Sequence, residues 1–300
     1  MESKDTKKQL ISNKLKEEYA AFGPWIFEIR DAIDIPTVFE GKIDLTNDTI
    51  IAIKIPKEIE RRNAKEGMHL YNYVLILKAN DLEIHKRIGD DVRSTILSYN
   101  DIMAVQNMVD LLNGELTLYH KKGISTLNYN TTSKEIIDKI VYIMRSKMNH
   151  SIEGNPCTYL NENILEMSFL YKTLLKRAQL KEDLHILGMQ PATKTKIINP
   201  TLWEKFSSVF FKYILRSSLF LTNGNDLIIL HRQNTVSVST SPDYSHASTI
   251  IPLSSIHSMS IEPNRRYTNI NNLLIRIEPE PIVFKIGTKV DFESWVNTIL

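Results

Sequence analysis

Two distant stretches of the chain carry the same hairpin pattern. Residues 73–87 read YVLILKANDLEIHKR, and residues 218–232 read SLFLTNGNDLIILHR. The shared Asn-Asp-Leu begins at Asn80 and again at Asn225, an offset of 145 residues. Each stretch alternates apolar and polar residues into a short polar turn and out again, which is typical of a β-hairpin. The chain is therefore expected to contain two copies of one β-rich unit.

The correspondence continues beyond the hairpins. Three further pairs of segments match: residues 94–97 with 248–251, 116–118 with 273–275, and 125–131 with 282–288. The offset grows from 145 to 157 along the chain, as expected when loops lengthen in one of two related copies. The order strand, hairpin, strand, strand, strand, helix is therefore expected to occur twice.

Each copy is predicted to end in an amphipathic helix. The first spans residues 133–147, with Ser133 as the expected N-cap and an apolar stripe at helical spacing. The second spans residues 291–300, with Phe292 and Trp295 on its apolar face. Two further helices are predicted, at residues 5–19 and 161–179.

A curled antiparallel sheet followed by one C-terminal helix resembles the pleckstrin-homology (PH) superfold. The short sequence motifs are more similar to those of its bacterial PH-like branch. Leu221-Thr222-Asn223 followed by a strand, and Ile251, Leu253 and Ile256 at I-x-L-x-x-I spacing, carry the resemblance. It implies an α+β chain of two PH-like β-barrel or curled-sheet modules, each capped by a helix. The expected organisation is a helical extension (1–48), a first module (49–147), a helical linker (148–192) and a second module (193–300).

The resemblance implies a binding or assembly module and no catalytic residues. Lipid-binding members of the superfold carry a Lys/Arg cluster at the first hairpin. The tips here, residues 78–81 and 223–226, each hold an acid and at most one base. Specific phosphoinositide recognition at that place is therefore not expected.

Composition narrows the class of partner. The net charge of +2 is too small to predict a nucleic-acid partner. The ten glycines in 300 residues are not clustered, which argues against a phosphate-binding loop.

The location of the protein is indicated by other features of the sequence. A single cysteine, Cys157, excludes an internal disulfide and favours a reducing, cytoplasmic location. The polar N-terminus and short apolar runs predict neither signal peptide nor membrane span, and abundant Ile, Asn and Lys indicate an AT-rich bacterial genome.

No residue set predicts catalysis, a metal or a cofactor. The eight histidines lack metal-ligand spacing, and His85 and His231, near-equivalent in the two copies, are interpreted as buried strand residues. Cys157 has no base assigned to it by sequence. Asp90 and Asp91 are interpreted as solvated loop charges.

The candidate binding residues fall into three groups. They are Lys54, Lys57, Arg61, Arg62 and Lys65 in the first copy, Trp203 at the start of the second, and Arg265 and Arg266 in a late loop. If residues 57–65 were helical, Lys57, Arg61 and Lys65 would share a face. Trp203 with Phe206 and Phe210 fits either a core-facing or a membrane-facing helix, and the core is favoured because the first copy is charged there.

Two functions follow as hypotheses. The first is a non-catalytic scaffold that binds a protein partner, or further copies of itself as a homo-oligomer, through sheet edges and the loops 234–247 and 265–271. The alternative is a peripheral protein at the inner face of the membrane, held to anionic lipid by the basic group and Trp203.

Overall fold

The computed structural model describes residues 4–148, 169–179, 182–210, 212–238, 243–290 and residue 292. This part of the chain is mixed α+β with antiparallel sheets, which confirms the predicted α+β class. The chain divides into two compact units. Unit 1 comprises Met1–Ile102, Leu112–Leu116 and Thr126–Met148, and unit 2 comprises Met103–Leu111, Thr117–Ser125 and Asn149–Leu300.

Unit 1 contains a five-stranded antiparallel sheet in the order β1-β2-β3-β4-β5. Its strands are β1 (Phe27–Glu28), β2 (Thr49–Pro56), β3 (Tyr71–Lys78), β4 (Asp81–Ile88) and β5 (Asp91–Ser98). Helix α1 (Lys4–Ala21) confirms the helix predicted for residues 5–19, and α2 (Lys134–Lys147) confirms the one predicted for residues 133–147.

The N-terminal residues of the chain contribute to the core of unit 1. Phe22, Val38 and Phe39 are buried in one cluster with Val74 and Ile76 of β3. Burial of such side chains stabilises the fold by about 1.5–3 kcal/mol each. The segment before residue 49 therefore packs on the sheet of unit 1.

Helix α2 begins differently from the prediction. Ser133 precedes its first residue, but the Ser133 side chain makes no capping hydrogen bond to the helix. Its hydroxyl instead accepts the backbone N–H of Ile26 at 2.8 Å. Ser133 thus ties the N-terminal segment to the start of α2.

The remaining strands form three antiparallel sheets. The seven-stranded sheet, in the order β8-β7-β6-β15-β13-β12-β9, consists of β6 (Ile102–Asp110), β7 (Asn113–His120), β8 (Gly123–Asn130), β9 (His185–Gln190), β12 (Ser218–Thr222), β13 (Asp226–His231) and β15 (His246–Pro252). The two three-stranded sheets are β10 (Thr193–Thr195), β11 (Tyr213–Leu215) and β14 (Val236–Val238), in the order β10-β11-β14, and β16 (Ser258–Pro263), β17 (Ile270–Arg276) and β18 (Ile282–Gly287), in numerical order. Helices α3 (Phe169–Gln179) and α4 (Leu202–Phe210) complete the described elements. No sheet in the described ranges closes into a barrel.

An aromatic cluster lies at the centre of unit 2. The fully buried Phe220 ring packs edge-on against Phe292 at 5.0 Å and against Phe284 at 6.3 Å. Leu227 and Ile229 of β13 belong to the same buried cluster. Edge-to-face ring pairs of this kind add about 0.5–1.5 kcal/mol beyond area burial.

The two hairpins have the same register. In β3–β4, Leu77 pairs with Leu82, and in β12–β13 Thr222 pairs with Leu227, so both partners are offset by 145 residues. The second turn places Gly224 at φ 89°, a backbone conformation that favours glycine. Asn223 supports it by accepting the backbone N–H of Asp226 at 2.8 Å.

Several predictions fall on other parts of the chain. The helix predicted for residues 161–179 is confirmed as α3 over residues 169–179, and its first part lies outside the described residues. Cys157 and most of residues 291–300 also lie outside them. Among the described helices, none has both the length and the apolar character that a membrane crossing requires.

Candidate binding surfaces

Strand β6 pairs with β15 over five residues of unit 2. The register runs antiparallel from Val105 opposite Ile250 to Val109 opposite His246. At its centre Gln106 lies opposite Thr249. Strand β6 therefore belongs to the same sheet as β12, β13 and β15, which lie far from it in sequence.

A directed chain of hydrogen bonds crosses the seam between β6 and β15. The Gln106 side-chain N–H donates to Thr249 Oγ1 at 2.9 Å, and Thr249 lies 2.9 Å from His231 Nε2. His231 Nδ1 lies 2.9 Å from the backbone carbonyl of Arg232, which can only accept. His231 Nδ1 is therefore the donor, and Nε2 accepts the Thr249 hydroxyl, an arrangement that uses the neutral ring. Burial lowers the pKa of His231, which favours the same neutral form.

His85 makes different contacts from His231. Its Nε2 lies 2.8 Å from Glu83, and its Nδ1 lies 2.8 Å from Ser94. Burial lowers the pKa of His85 despite the nearby carboxylate. The interpretation of both histidines as buried strand residues is confirmed.

Strands β5 and β16 lie at the ends of their sheets in the described part of the chain. Only Leu97 is buried among the residues of β5, whereas five of the seven residues of β15 are buried. A terminal strand presents backbone donors and acceptors on one side to whatever lies beside it. The outer edge of β16 is therefore a candidate site for strand addition.

The basic group predicted in the first copy does not form a helical face. Residues 61–63 make a single 3₁₀ turn, so the conditional expectation of a helix across Lys57, Arg61 and Lys65 is wrong. Pro56 ends strand β2 immediately before this segment, and Glu60 and Ala64 on either side of the turn have extended backbones.

Most of these bases are engaged locally. Lys54 Nζ donates to the backbone carbonyl of Asp34 at 2.7 Å, and its burial lowers the pKa of its ammonium group. The Arg61 guanidinium stacks 4.4 Å from the Tyr19 ring and donates to the Tyr19 carbonyl. Arg62 pairs with Glu60. Lys57 is half-buried and Lys65 is exposed.

A cleft of about 650 Å³ lies in unit 1 beside this segment. Apolar and aromatic residues, including Phe22, Pro24 and Tyr129, line one part of it. Residues 56–61 line another part, with two bases and two acids among them. This balance of charge gives the cleft no preference for an anionic ligand.

Helix α4 presents an apolar surface to solvent. Leu202 is 84% exposed, Trp203 is 83% exposed and Phe206 is 64% exposed. The core-facing interpretation favoured from sequence is therefore wrong for this end of the helix. Amphipathic spacing identifies a face but not what covers it, which explains the error.

The start of α4 is well defined. The Glu204 carboxylate accepts the backbone N–H of Thr201 at 2.9 Å, and the Thr201 hydroxyl accepts the backbone N–H of Glu204 at 3.3 Å. This is a capping box, and the hydrogen bond from the Thr201 backbone lowers the pKa of Glu204. The T-x-x-E pattern at residues 201–204 was the sequence signal for it.

Arg266 lies next to the start of α4. Arg266 lies 3.5 Å from Glu204, and its backbone carbonyl accepts the N–H of Ile198 at 2.7 Å. This places the predicted Arg265–Arg266 loop next to the segment that enters α4. The exposed bases in this loop and in residues 194–212 are Lys194, Lys196, Lys205, Lys212, Arg265 and Arg266. The contact with Glu204 brings Arg266 close to Trp203 within unit 2, and the lysines at 194 and 196 were not predicted.

The predicted contact loop 234–247 is partly fixed in place. Val236–Val238 pair with β11, and the Arg232 guanidinium donates to the carbonyl of Asp243 at 2.9 Å. Ser245 is buried. One end of the loop 234–247 is therefore held by pairing with β11, and the other end is held by Arg232.

No cluster of three or more His, Cys, Asp or Glu side chains that could hold a metal ion occurs within the described residues. No protein-family model matches the chain, and no curated protein matches it.

Proposed function

We propose that this chain is a non-catalytic assembly protein, built from two PH-like modules, that binds protein partners, and foremost further copies of itself, through the edges of its sheets. The observation that carries the proposal is the pairing of β6 with β15. One repeat already contributes a strand to the sheet of the other, so the sheet edges of this fold accept added strands.

The PH-like assignment rests on element order and register. The five-stranded sheet is followed by β6, β7, β8 and the helix α2, and β12, β13 and β15 are followed by β16, β17 and β18. The shared hairpin registers support a duplicated module. A sheet followed by three strands and a closing helix is the arrangement that the resemblance implies.

Edge pairing suits an assembly role because main-chain hydrogen bonds supply affinity while exposed side chains select the partner. The test is sedimentation velocity of the full chain over a wide range of concentration. Self-assembly predicts that the weight-average mass rises above the 34.6 kDa of one chain as concentration increases. A single 34.6 kDa species at every concentration would contradict it.

The exposure of Leu202 and Trp203 favours a second function, peripheral attachment to an anionic membrane. A short apolar helix face with Arg266 beside it matches the chemistry of an interfacial helix. Here the attachment point is α4 with Arg265 and Arg266, not the Lys54–Lys65 group. Co-sedimentation with anionic and neutral vesicles at low and high salt tests it.

A further inference from the structure

Three polar side chains on the β4–β5 hairpin of unit 1 form a hydrogen-bonded row. His85 Nε2 lies 2.8 Å from Glu83 Oε2, and His85 Nδ1 lies 2.8 Å from Ser94 Oγ. Glu83 and His85 are two residues apart on β4, so their side chains lie on the same face of the sheet. Ser94 of β5 is directly opposite His85 and shares this face. The row Glu83–His85–Ser94 is therefore fixed by the register of the two strands.

Glu83 determines which ring nitrogen of His85 carries the proton. A carboxylate can only accept hydrogen bonds, so His85 Nε2 donates to Glu83. In a neutral ring Nδ1 then has a free lone pair, which accepts the Ser94 hydroxyl. Burial lowers the pKa of His85, so the ring is neutral at about pH 7. The Lys78 ammonium group pairs with the other carboxylate oxygen, Oε1, and this hydrogen bond raises the pKa of Lys78.

One end of the row is buried and the other is exposed. The side chains of His85 and Glu83 are only 4% and 10% exposed. They lie opposite Val74 and Ile76 of β3, which are fully buried. Ser94 is exposed. The imidazole and the carboxylate thus interact away from water, where electrostatic interactions are stronger, while the serine stays open to a reactant.

This arrangement has the parts of an activated nucleophile. A serine hydroxyl is a weak nucleophile unless a base within hydrogen-bond reach removes its proton and a third group orients that base. Ser94, His85 and Glu83 meet this geometry. Such a set is recognised by the roles of its members and not by their order in sequence.

We propose that Ser94 is a covalent modification site that takes an acyl group from an activated carboxylic ester. The Ser94 oxygen attacks the carbonyl carbon of the ester while its proton passes to His85 Nδ1. The tetrahedral adduct then expels the alcohol or phenol of the ester, to which His85 returns the proton. The products are acyl-Ser94 and the free alcohol or phenol. One acyl group is transferred to each chain, so the reaction is a modification of the protein and does not rest on the assembly function.

The second repeat supplies a matched control. Residues 94–97 match residues 248–251, so Ser248 of β15 corresponds to Ser94. Ser248 lies opposite Leu230 of β13, whose side chain cannot accept a proton. Ile228 occupies the position that corresponds to Glu83. Ser248 is therefore expected to react only as an ordinary serine does.

Reaction of the full chain with p-nitrophenyl acetate tests the proposal. Absorbance follows the release of p-nitrophenol, and peptide mass spectrometry locates the acetyl group. The expected result is a burst of about one equivalent per chain, with the acetyl group on Ser94. Ser94→Ala should abolish the burst, and Ser248→Ala should keep it. His85→Gln should slow acetylation of Ser94 by about 100-fold, because it removes the general base.

Glu83 acts through His85 and is a positioning residue, which Glu83→Gln tests. Lys78 can only donate, so the oxygen of the new amide should face Lys78 and its NH2 group should face His85 Nε2. The ring proton then moves to Nδ1, which can no longer accept from Ser94. We expect slower acetylation of Ser94 together with a change of the His85 tautomer in nitrogen NMR spectra. A general loss of stability would not exchange the protonated ring nitrogen.

Three results would overturn the proposal. They are acetylation of Ser94 no faster than that of Ser248 in the wild type, undiminished acetylation in His85→Gln, and wild-type acetylation in a Glu83→Gln variant whose tautomer has changed. Loss of the burst in Ser94→Ala is not explained by misfolding, since the side chain that is removed is exposed. Failure of this proposal leaves the assembly function intact, because neither the burst nor the labelled peptide depends on self-association.

Discussion

Gln106 on β6 donates to the hydroxyl of Thr249 on β15 at 2.9 Å, although 143 residues separate them in sequence. Thr249 is fully buried, and its hydroxyl donates a hydrogen bond to His231 Nε2. A buried polar chain of this kind is stable only when every member has its partner. The seam between β6 and β15 is therefore held by side chains as well as by its backbone ladder.

Thr249→Val should destabilise the protein by about 1–3 kcal/mol, because it leaves Gln106 and His231 without their buried partner. Denaturant unfolding measures this change in the free energy of unfolding. The matched control is Thr95→Val at the equivalent position of β5, where we expect a change within about 0.5 kcal/mol. Equal effects at the two positions would mean that the Thr249 hydrogen bonds contribute nothing to stability.

Acid should weaken the protein through His231. Burial lowers the pKa of His231 in the folded state. As the pH falls below about 6.5, the histidine is therefore protonated in the unfolded state but stays neutral in the folded state. The free energy of unfolding then decreases with falling pH, by at most about 1.4 kcal/mol per pH unit for one histidine, until the folded-state pKa is reached.

His231→Gln should flatten this slope below pH about 6.5. Above pH about 7 the variant and the wild type should show parallel profiles, since the histidine is neutral there in both states. Chemical denaturation at a series of pH values makes the comparison. A variant whose slope in the acid range matches the wild type would exclude His231 as a source of acid sensitivity.

Gly114→Ala should destabilise the protein by about 1–3 kcal/mol, through overpacking. A Cβ at this position would lie 2.2 Å from the Tyr129 ring, which is itself buried. A double-mutant cycle with Tyr129→Ala checks the cause, because the alanine at 114 should cost little once the ring is gone. Additive losses in the double variant would point to backbone effects of the glycine instead.

The membrane alternative predicts a local effect on vesicle binding. Replacing Leu202 and Trp203 by serine should abolish co-sedimentation with anionic vesicles, because these side chains supply the apolar contact. Trp25→Ser, at another exposed tryptophan, is the matched control and should bind normally. A combined Lys57, Arg61 and Arg62 to alanine variant should also bind normally. If the alanine variant lost vesicle binding while the serine variant at Leu202 and Trp203 kept it, the membrane-binding surface would be the Lys54–Lys65 group and not α4.

Much of the fold was predictable from sequence where local pattern determines it. The hairpin at Asn80 and its counterpart at Asn225, the helices α1 and α2, and the burial of His85 and His231 follow from alternation, turn residues and helical spacing. The partner of β6 was not predictable, because periodicity identifies a strand but not its neighbour.

The candidate sites were harder to predict for a related reason. The surroundings of Trp203 depend on tertiary contacts that helical spacing does not encode. The local partners of Lys54 and Arg61, the carbonyls of Asp34 and Tyr19, come from other segments of the chain.

Sedimentation velocity of the full chain over a wide range of concentration tests the central claim most directly. The account predicts that the weight-average mass rises above the 34.6 kDa of one chain as the concentration increases. A single 34.6 kDa species at every concentration would contradict the assembly function.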